Sequence, residues 1–224
     1  MLARTLMTCA LALGLAVGLT AATATADSSS DERTWRVTVK NLTPEGSQPL
    51  SPPLFVVHSQ RADVWSVGDI ANHGVAAIAE DANNSPLESA VVQLPGVRSA
   101  FTGAGGPIPS GRSKTYDVQG QAGRDRLTLL TMLVNTNDAF TGLDSRQLVG
   151  QGAVLYKMAY DAGSERNNEL KGYIPGPCCG NPFVRDPEGE LIRMHQGITG
   201  VGELDPAIYG WTGPVAKITI ERVN

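Results

Sequence analysis

The run Leu127-Thr128-Leu129-Leu130-Thr131-Met132-Leu133-Val134, followed by the polar Asn135-Thr136-Asn137-Asp138, decides how the rest of the chain is read. Read with a period of two, Leu127, Leu129 and Leu133 fall on one face and Leu130, Met132 and Val134 on the other. Both faces are apolar, which predicts a strand covered on both sides at the centre of a core. The segment Val154 to Tyr160 reads as a second central strand, and it runs straight into Asp161-Ala162-Gly163-Ser164-Glu165. If the two strands end on one rim, Asp138, Asp161 and Glu165 converge. Three carboxylates repel one another unless something neutralises them. A hard cation held by oxygen ligands, calcium before magnesium, is the simplest solution. The bland alternative is a solvated acidic rim with no ion.

Outward from this stretch the pattern stays β. Trp35, Val37 and Val39 alternate with Arg36, Thr38 and Lys40, predicting a half-buried strand, and Ala216, Ile218 and Ile220 do the same near the C-terminus. Leu54 to His58 and Ser113 to Val118 read as further strands. With 25 glycines, 14 prolines and 18% charged residues, the chain suits an all-β, antiparallel β-sandwich spanning 34–224. A short helical insert is expected around 70–93. Val75, Ala76, Ile78 and Ala79 share one helical face there, and Ser85-Pro86-Leu87-Glu88 reads as a capped helix start. These helices are expected to cover an end of the sandwich. Phe183 to Met194, centred on Asp186-Pro187-Glu188-Gly189, reads as a hairpin around a type I turn.

Residues 1–26 read as an export signal, with Arg4, an apolar Cys9–Thr20 stretch and a small-residue cleavage site at Ala24-Thr25-Ala26. Residues 27–33 form a polar, disordered leader. The apolar stretch is too short for a membrane span, and no transmembrane segment is expected downstream. Without 1–26 the chain carries 17 basic and 22 acidic residues, a net −5. That balance offers no basic footprint for nucleic acid. Export also bears on Cys178-Cys179, the only cysteines after the signal, which can pair with each other, pair between chains, or stay as thiols.

His58, His73 and His195 have no spacing typical of zinc, and neither Gly-x-Ser-x-Gly nor His-Glu-x-x-His occurs. Asn41-Leu42-Thr43 and Asn83-Asn84-Ser85 match the glycosylation triplet, a frequent chance pattern. Asn135 and Asn168 are available, with carbonyls and water, to complete a calcium shell.

Several of these segments together resemble the spondin-domain family. The resemblance rests on Asn137-Asp138 followed by Phe140-Thr141-Gly142-Leu143-Asp144, on Tyr160-Asp161-Ala162-Gly163-Ser164-Glu165, on Asp186-Pro187-Glu188-Gly189, and on Ile218-Thr219-Ile220-Glu221-Arg222. It implies a β-sandwich similar to the calcium/phospholipid-binding sandwiches, with calcium held at Asp138, Asp161 and Glu165. Two departures stand out: Ala139 where the family often has an aromatic, and Glu165 where it usually has aspartate. The resemblance further implies an exported, extracytoplasmic binding or adhesion module, secreted or in the cell envelope. Its ligand would be an extracellular protein, matrix component or glycan, and its oligomeric state is left open. The alternative is a metal-dependent extracytoplasmic enzyme using the same acidic rim.

Overall fold

The structure is a computed structural model and describes residues 32–180 and 183–223. The expected export signal at 1–26, and residues 27–31 of the expected leader, lie outside the described residues. Strand β1 (Glu32–Asn41) includes Glu32 and Arg33, whose backbones pair with Gln121 and Gly120, so these two residues, read from the chain as part of a disordered leader, belong to a strand.

The remaining elements, in order, are β2 (Leu54–His58), α1 (His73–Asp81), α2 (Ser85–Val91), β3 (Val97–Thr102), β4 (Ser113–Gln121), β5 (Arg126–Met132), β6 (Ala139–Gln147), β7 (Ala153–Lys157), β8 (Tyr160–Asp161), β9 (Arg193–Met194), α3 (Pro206–Tyr209) and β10 (Ala216–Val223). They build an all-β sandwich of two antiparallel sheets. Among the described residues one has four strands in the order β4-β1-β10-β7 and the other six in the order β3-β2-β5-β6-β8-β9. Among the described residues no helix is long and apolar enough to cross a membrane.

The alternating strands behave as their pattern requires. Trp35, Val37 and Val39 meet Ile218 and Ile220 between the sheets, while Arg36 faces out and pairs with Asp117. β5 is buried on both faces for two different reasons. Leu127, Leu129 and Leu133 fill the inter-sheet core. Leu130 instead joins Leu54, Val56 and Phe140 in a second core, closed by Val75, Ile78 and Leu87 from the helices. The insert therefore covers the outer face of the six-stranded sheet rather than an end of the sandwich. An uncovered face carrying Leu54, Val56, Leu130 and Phe140 would expose a large apolar patch to water. Asn72 caps α1 by accepting from the Gly74 and Val75 amides. In the second helix Ser85 is the first helical residue rather than the cap, which is Asn84.

Two strand readings are corrected. The segment 154–160 is not a central strand: β7 lies at the free edge of the four-stranded sheet, with Val154 and Tyr156 exposed. The chain then crosses to the other sheet and resumes at β8. The neighbour of β5 is instead β6, whose first half, Ala139 to Leu143, is wholly buried. The expected 183–194 hairpin does not close on itself. Its turn pairs with the acidic segment, through a Glu165–Pro187 bridge and bonds from the Glu188 amide to Ser164 O and from the Glu190 amide to Gly163 O.

Candidate metal centre

Asp138 is fixed by the tight β5–β6 connection. The Thr136 hydroxyl donates to Leu133 O at 2.6 Å and accepts from the Ala139 amide at 3.0 Å. The register of β6 against β8 sets Ala139 opposite Asp161, and the Ala162 amide donates to Asp138 O at 3.2 Å. That ladder brings Asp138 and Asp161 side by side, although they are far apart in sequence. Gly163 (φ +67°) turns the chain back so that Ser164 and Glu165 meet Asp138; a Cβ there would lie 2.5 Å from Glu190 O.

The three acids are not equivalent. Asp138 is fully buried, and its Oδ2 accepts from the amides of Ser164 at 2.9 Å and Glu165 at 3.0 Å. Among the described residues its Oδ1 has no hydrogen-bond partner. Glu165 is 1% exposed; Oε1 accepts from the Asp186 amide at 3.2 Å and lies 3.7 Å from Arg185 Nε, while Oε2 has no partner among the described residues. Asp161 has both oxygens occupied. Oδ1 accepts from the Gly163 amide, and Oδ2 from Asn167 Nδ2 and from Arg193, each at 2.9 Å.

Burial, and then the Asp161 charge, push the Asp138 carboxyl up to about 7 against the amide bonds that pull it down. Burial, and then the nearby Glu80, push Glu165 up to about 8, with Asp138 and Asp186 adding to the effect. Both acids resist ionisation because the protein supplies too little positive charge where they sit. Among the described residues, no three Asp, Glu, His or Cys side chains stand together as a ready-made ligand set.

The orphaned oxygens Asp138 Oδ1 and Glu165 Oε2 are the features that fit a cation. An unpartnered buried carboxylate oxygen is costly, and oxygen-only donors suit a hard ion such as calcium. Asn135 and Asn168 already hold other partners. Asn135 bridges Ser47 O, at 2.7 Å, and the Cys178 amide, at 3.1 Å. Asn168 Nδ2 donates to Asp186 Oδ2 at 3.1 Å, and its Oδ1 accepts from the Leu170 amide at 2.9 Å.

Charged neighbours that a reading of the chain alone misses come from two places. Arg185 reaches Glu80 Oε2 at 2.6 Å and also pairs with Asp81, both at the C-terminus of α1. Arg193 meets Asp161, and Glu188 at 3.4 Å. One local signal does exist. Acids at a helix C-terminus oppose the helix dipole, so the Glu80-Asp81 pair calls for an outside cation.

His195 packs against Trp211 and beneath this rim. Its Nδ1 accepts from the Gly197 amide at 2.9 Å, and its Nε2 donates to Asn167 Oδ1 at 2.9 Å. Burial lowers its pKa to about 4, so the ring is neutral with both nitrogens engaged. His58 is likewise enclosed, bonded to Ser59 O and to the Thr128 hydroxyl, each at 2.8 Å. Asn41 of the glycosylation triplet is buried and bonded to Gln48 O and Ile108 O. The loop 175–180 lies against Asn135, and Cys178 and Cys179 within it are joined in a disulfide. Compared with models of known families and with curated proteins, the chain matches none.

Proposed function

We propose that this protein is an exported, calcium-binding β-sandwich of the spondin type, acting as an extracytoplasmic binding or adhesion module. One observation carries the calcium reading: among the described residues, Asp138 and Glu165 each leave one carboxylate oxygen buried and unpartnered, within a single acidic rim. Asp138 and Glu165 are the anchoring ligands. Asp161 completes the set through the oxygen it now shares with Arg193 and Asn167. The ion supplies the positive charge that the rim lacks, tying the 135–138 connection to the 161–168 segment and the 186–190 turn. Main-chain carbonyls and water fill the rest of the shell, because calcium takes 6–8 oxygens. A rigid rim of this kind is suited to presenting surrounding loops to a protein, matrix or glycan ligand.

The test is isothermal titration of the full chain, stripped with chelator, with calcium and then with magnesium. Saturable calcium binding with a stoichiometry near one, lost in Asp138→Asn, is the expected result. No heat from either ion, together with a melting temperature unmoved by calcium, refutes the metal centre.

A further inference from the structure

At the other end of the sandwich, beyond the N-terminal end of β5, three arginines converge on one cleft. Arg61 follows β2, Arg98 lies on β3 and Arg124 sits in the turn between β4 and β5. Together they line a cavity of about 690 Å³. The same strand that ends in the acidic connection thus starts beside this basic pocket, in a protein whose overall charge is −4.

The cleft is held in shape from beneath. Asp125, whose side chain is 3% exposed, accepts from Arg98 Nε at 2.7 Å and from the Gln121 amide at 2.7 Å. That buried carboxylate pins the Arg98 guanidinium against the wall. Behind Arg61, the Ser59 amide donates to Gly96 O at 2.8 Å. The backbone at Gly96 runs so close that a Cβ would come within 2.4 Å of Ser59 Oγ, and its φ of +93° disfavours any other residue. Arg61 and Arg124 are exposed, and among the described residues neither side chain has an ion-pair or hydrogen-bond partner.

We propose that this cleft binds a phosphomonoester carried on a small polyhydroxylated molecule, such as a phosphorylated sugar. Three guanidiniums against one carboxylate leave the lining with two positive charges, matching the ≈ −1.5 to −2 of a phosphomonoester at neutral pH. Guanidinium forks fit tetrahedral oxyanions through paired N–H donors, which an ammonium does not. The cavity lies within the ~300–1,000 Å³ of small-molecule sites and exceeds what one phosphate fills. Ser59 and Gln60 in the lining suit the hydroxyls of a carrier, whereas the lining has no aromatic platform for an uncharged sugar ring. The inference is independent of the calcium reading, because none of these residues touches the acidic rim.

The test is titration calorimetry of the full chain, at constant ionic strength set with chloride, against glucose 6-phosphate, glucose 6-sulfate and glucose. Glucose 6-phosphate is expected to bind saturably and at least tenfold more tightly than glucose 6-sulfate, with no binding of glucose. Its affinity should rise severalfold from pH 5 to pH 7 as the second phosphate proton leaves, near pH 6. Arg61→Gln and Arg124→Gln should each weaken binding about tenfold, while Arg36→Gln, on the far sheet, leaves it unchanged. Circular dichroism and melting of the two exposed-arginine variants confirm that they remain folded. Absence of saturable phosphate-ester binding overturns the proposal. So does wild-type affinity in the double variant, or equal affinity for the sulfate ester.

Discussion

Asp138 and Glu165 are joined through the backbone of one and the side chain of the other: the Glu165 amide donates to Asp138 Oδ2 at 3.0 Å, and each carboxylate keeps one oxygen unpartnered among the described residues. The amide bond pulls the Asp138 proton affinity down, yet burial and the Asp161 charge hold it up. The pair is thus built for negative charge by its backbone and denied it by its surroundings, which is the condition a bound cation relieves.

The first expectation concerns calcium and Asp138. If the ion binds the native state alone, free calcium at ~1,000 times the dissociation constant stabilises the protein by about 4 kcal/mol. Asp138→Asn should abolish that gain. Without calcium the same variant should melt ~2–4 °C higher than wild type, the shift that ~1 kcal/mol produces at this chain length, because a repelling buried charge has gone. Asp144→Ala, at a site bonded to Ser66 instead, should retain the calcium response. Melting curves with calcium and with chelator distinguish these cases by the sign of the change.

The second expectation is a pH dependence of the metal-free protein. Asp138 and Glu165 hold protons up to about 7 and about 8, while in the unfolded chain both have ionised by pH 6. Between pH 6.5 and 8 the native state therefore binds more protons than the unfolded state, so stability falls as pH rises. His195, lowered to about 4, is neutral in the native state but partly protonated in the unfolded chain near pH 6.5, so it opposes this trend at the lower end of the window, by less than the two carboxylates contribute together. Asp161, Glu80 and Asp186 face the pair as further acids, and Arg185 and Arg193 as cations. Urea unfolding at pH 6.5 and 8 should give the lower midpoint at pH 8 with chelator, and calcium should remove or reverse the difference.

A third expectation is that Arg185→Gln weakens the metal-free protein and strengthens its dependence on calcium. The guanidinium is the only protein cation within 4 Å of Glu165 among the described residues, and it also holds Glu80 and Asp81. Its loss should cost ~2–3 kcal/mol, less than the ~3–5 kcal/mol for breaking a fully buried pair, since the side chain is a fifth exposed. Calcium affinity measured by calorimetry should rise, because a competing positive charge has been removed.

The two-core arrangement makes a fourth expectation. Phe140 packs on Trp65 at 4.9 Å and on Tyr160 at 5.7 Å between ring centroids, beneath the helices and two residues after Asp138. Phe140→Ala should destabilise the protein by ~3–5 kcal/mol. It should also loosen the metal rim, seen as faster amide exchange at Ala162 and Glu165. Exchange confined to the helices would separate the cover from the rim.

The fifth expectation concerns Cys178–Cys179. A bond between neighbours closes almost no chain, so it removes little unfolded-state entropy. Replacing both cysteines by serine should change stability by less than about 1 kcal/mol. Intact-mass measurement without reductant should give a monomer two hydrogens lighter than the dithiol form.

Strand patterning is local information: β1 and β10 were legible from Trp35 and Ile218 and their neighbours, because one-sided burial imposes a period of two, and β5 from its unbroken apolar run around Leu129, because both of its faces are covered. The acidic character of Asp138 and of the 161–165 segment was equally plain in the chain. What the chain could not show was which strand lies beside β5. The buried β6 folds straight back on β5 across the short 133–138 connection, whereas β7 takes its place at an edge only by pairing with the distant β10. Nor could it show that the helical insert roofs a second core, since an amphipathic helix specifies an apolar face without specifying what covers it. The division of labour among the three acids is the clearest case. Arg193 and Asn167 reach Asp161, Arg185 and Glu80 reach Glu165, and only the β6–β8 register sets Asp138 next to Asp161. Charge and hydrophobic period are written residue by residue, whereas electrostatic neighbourhood depends on contacts between residues far apart in sequence, and those exist only once the sheets have closed.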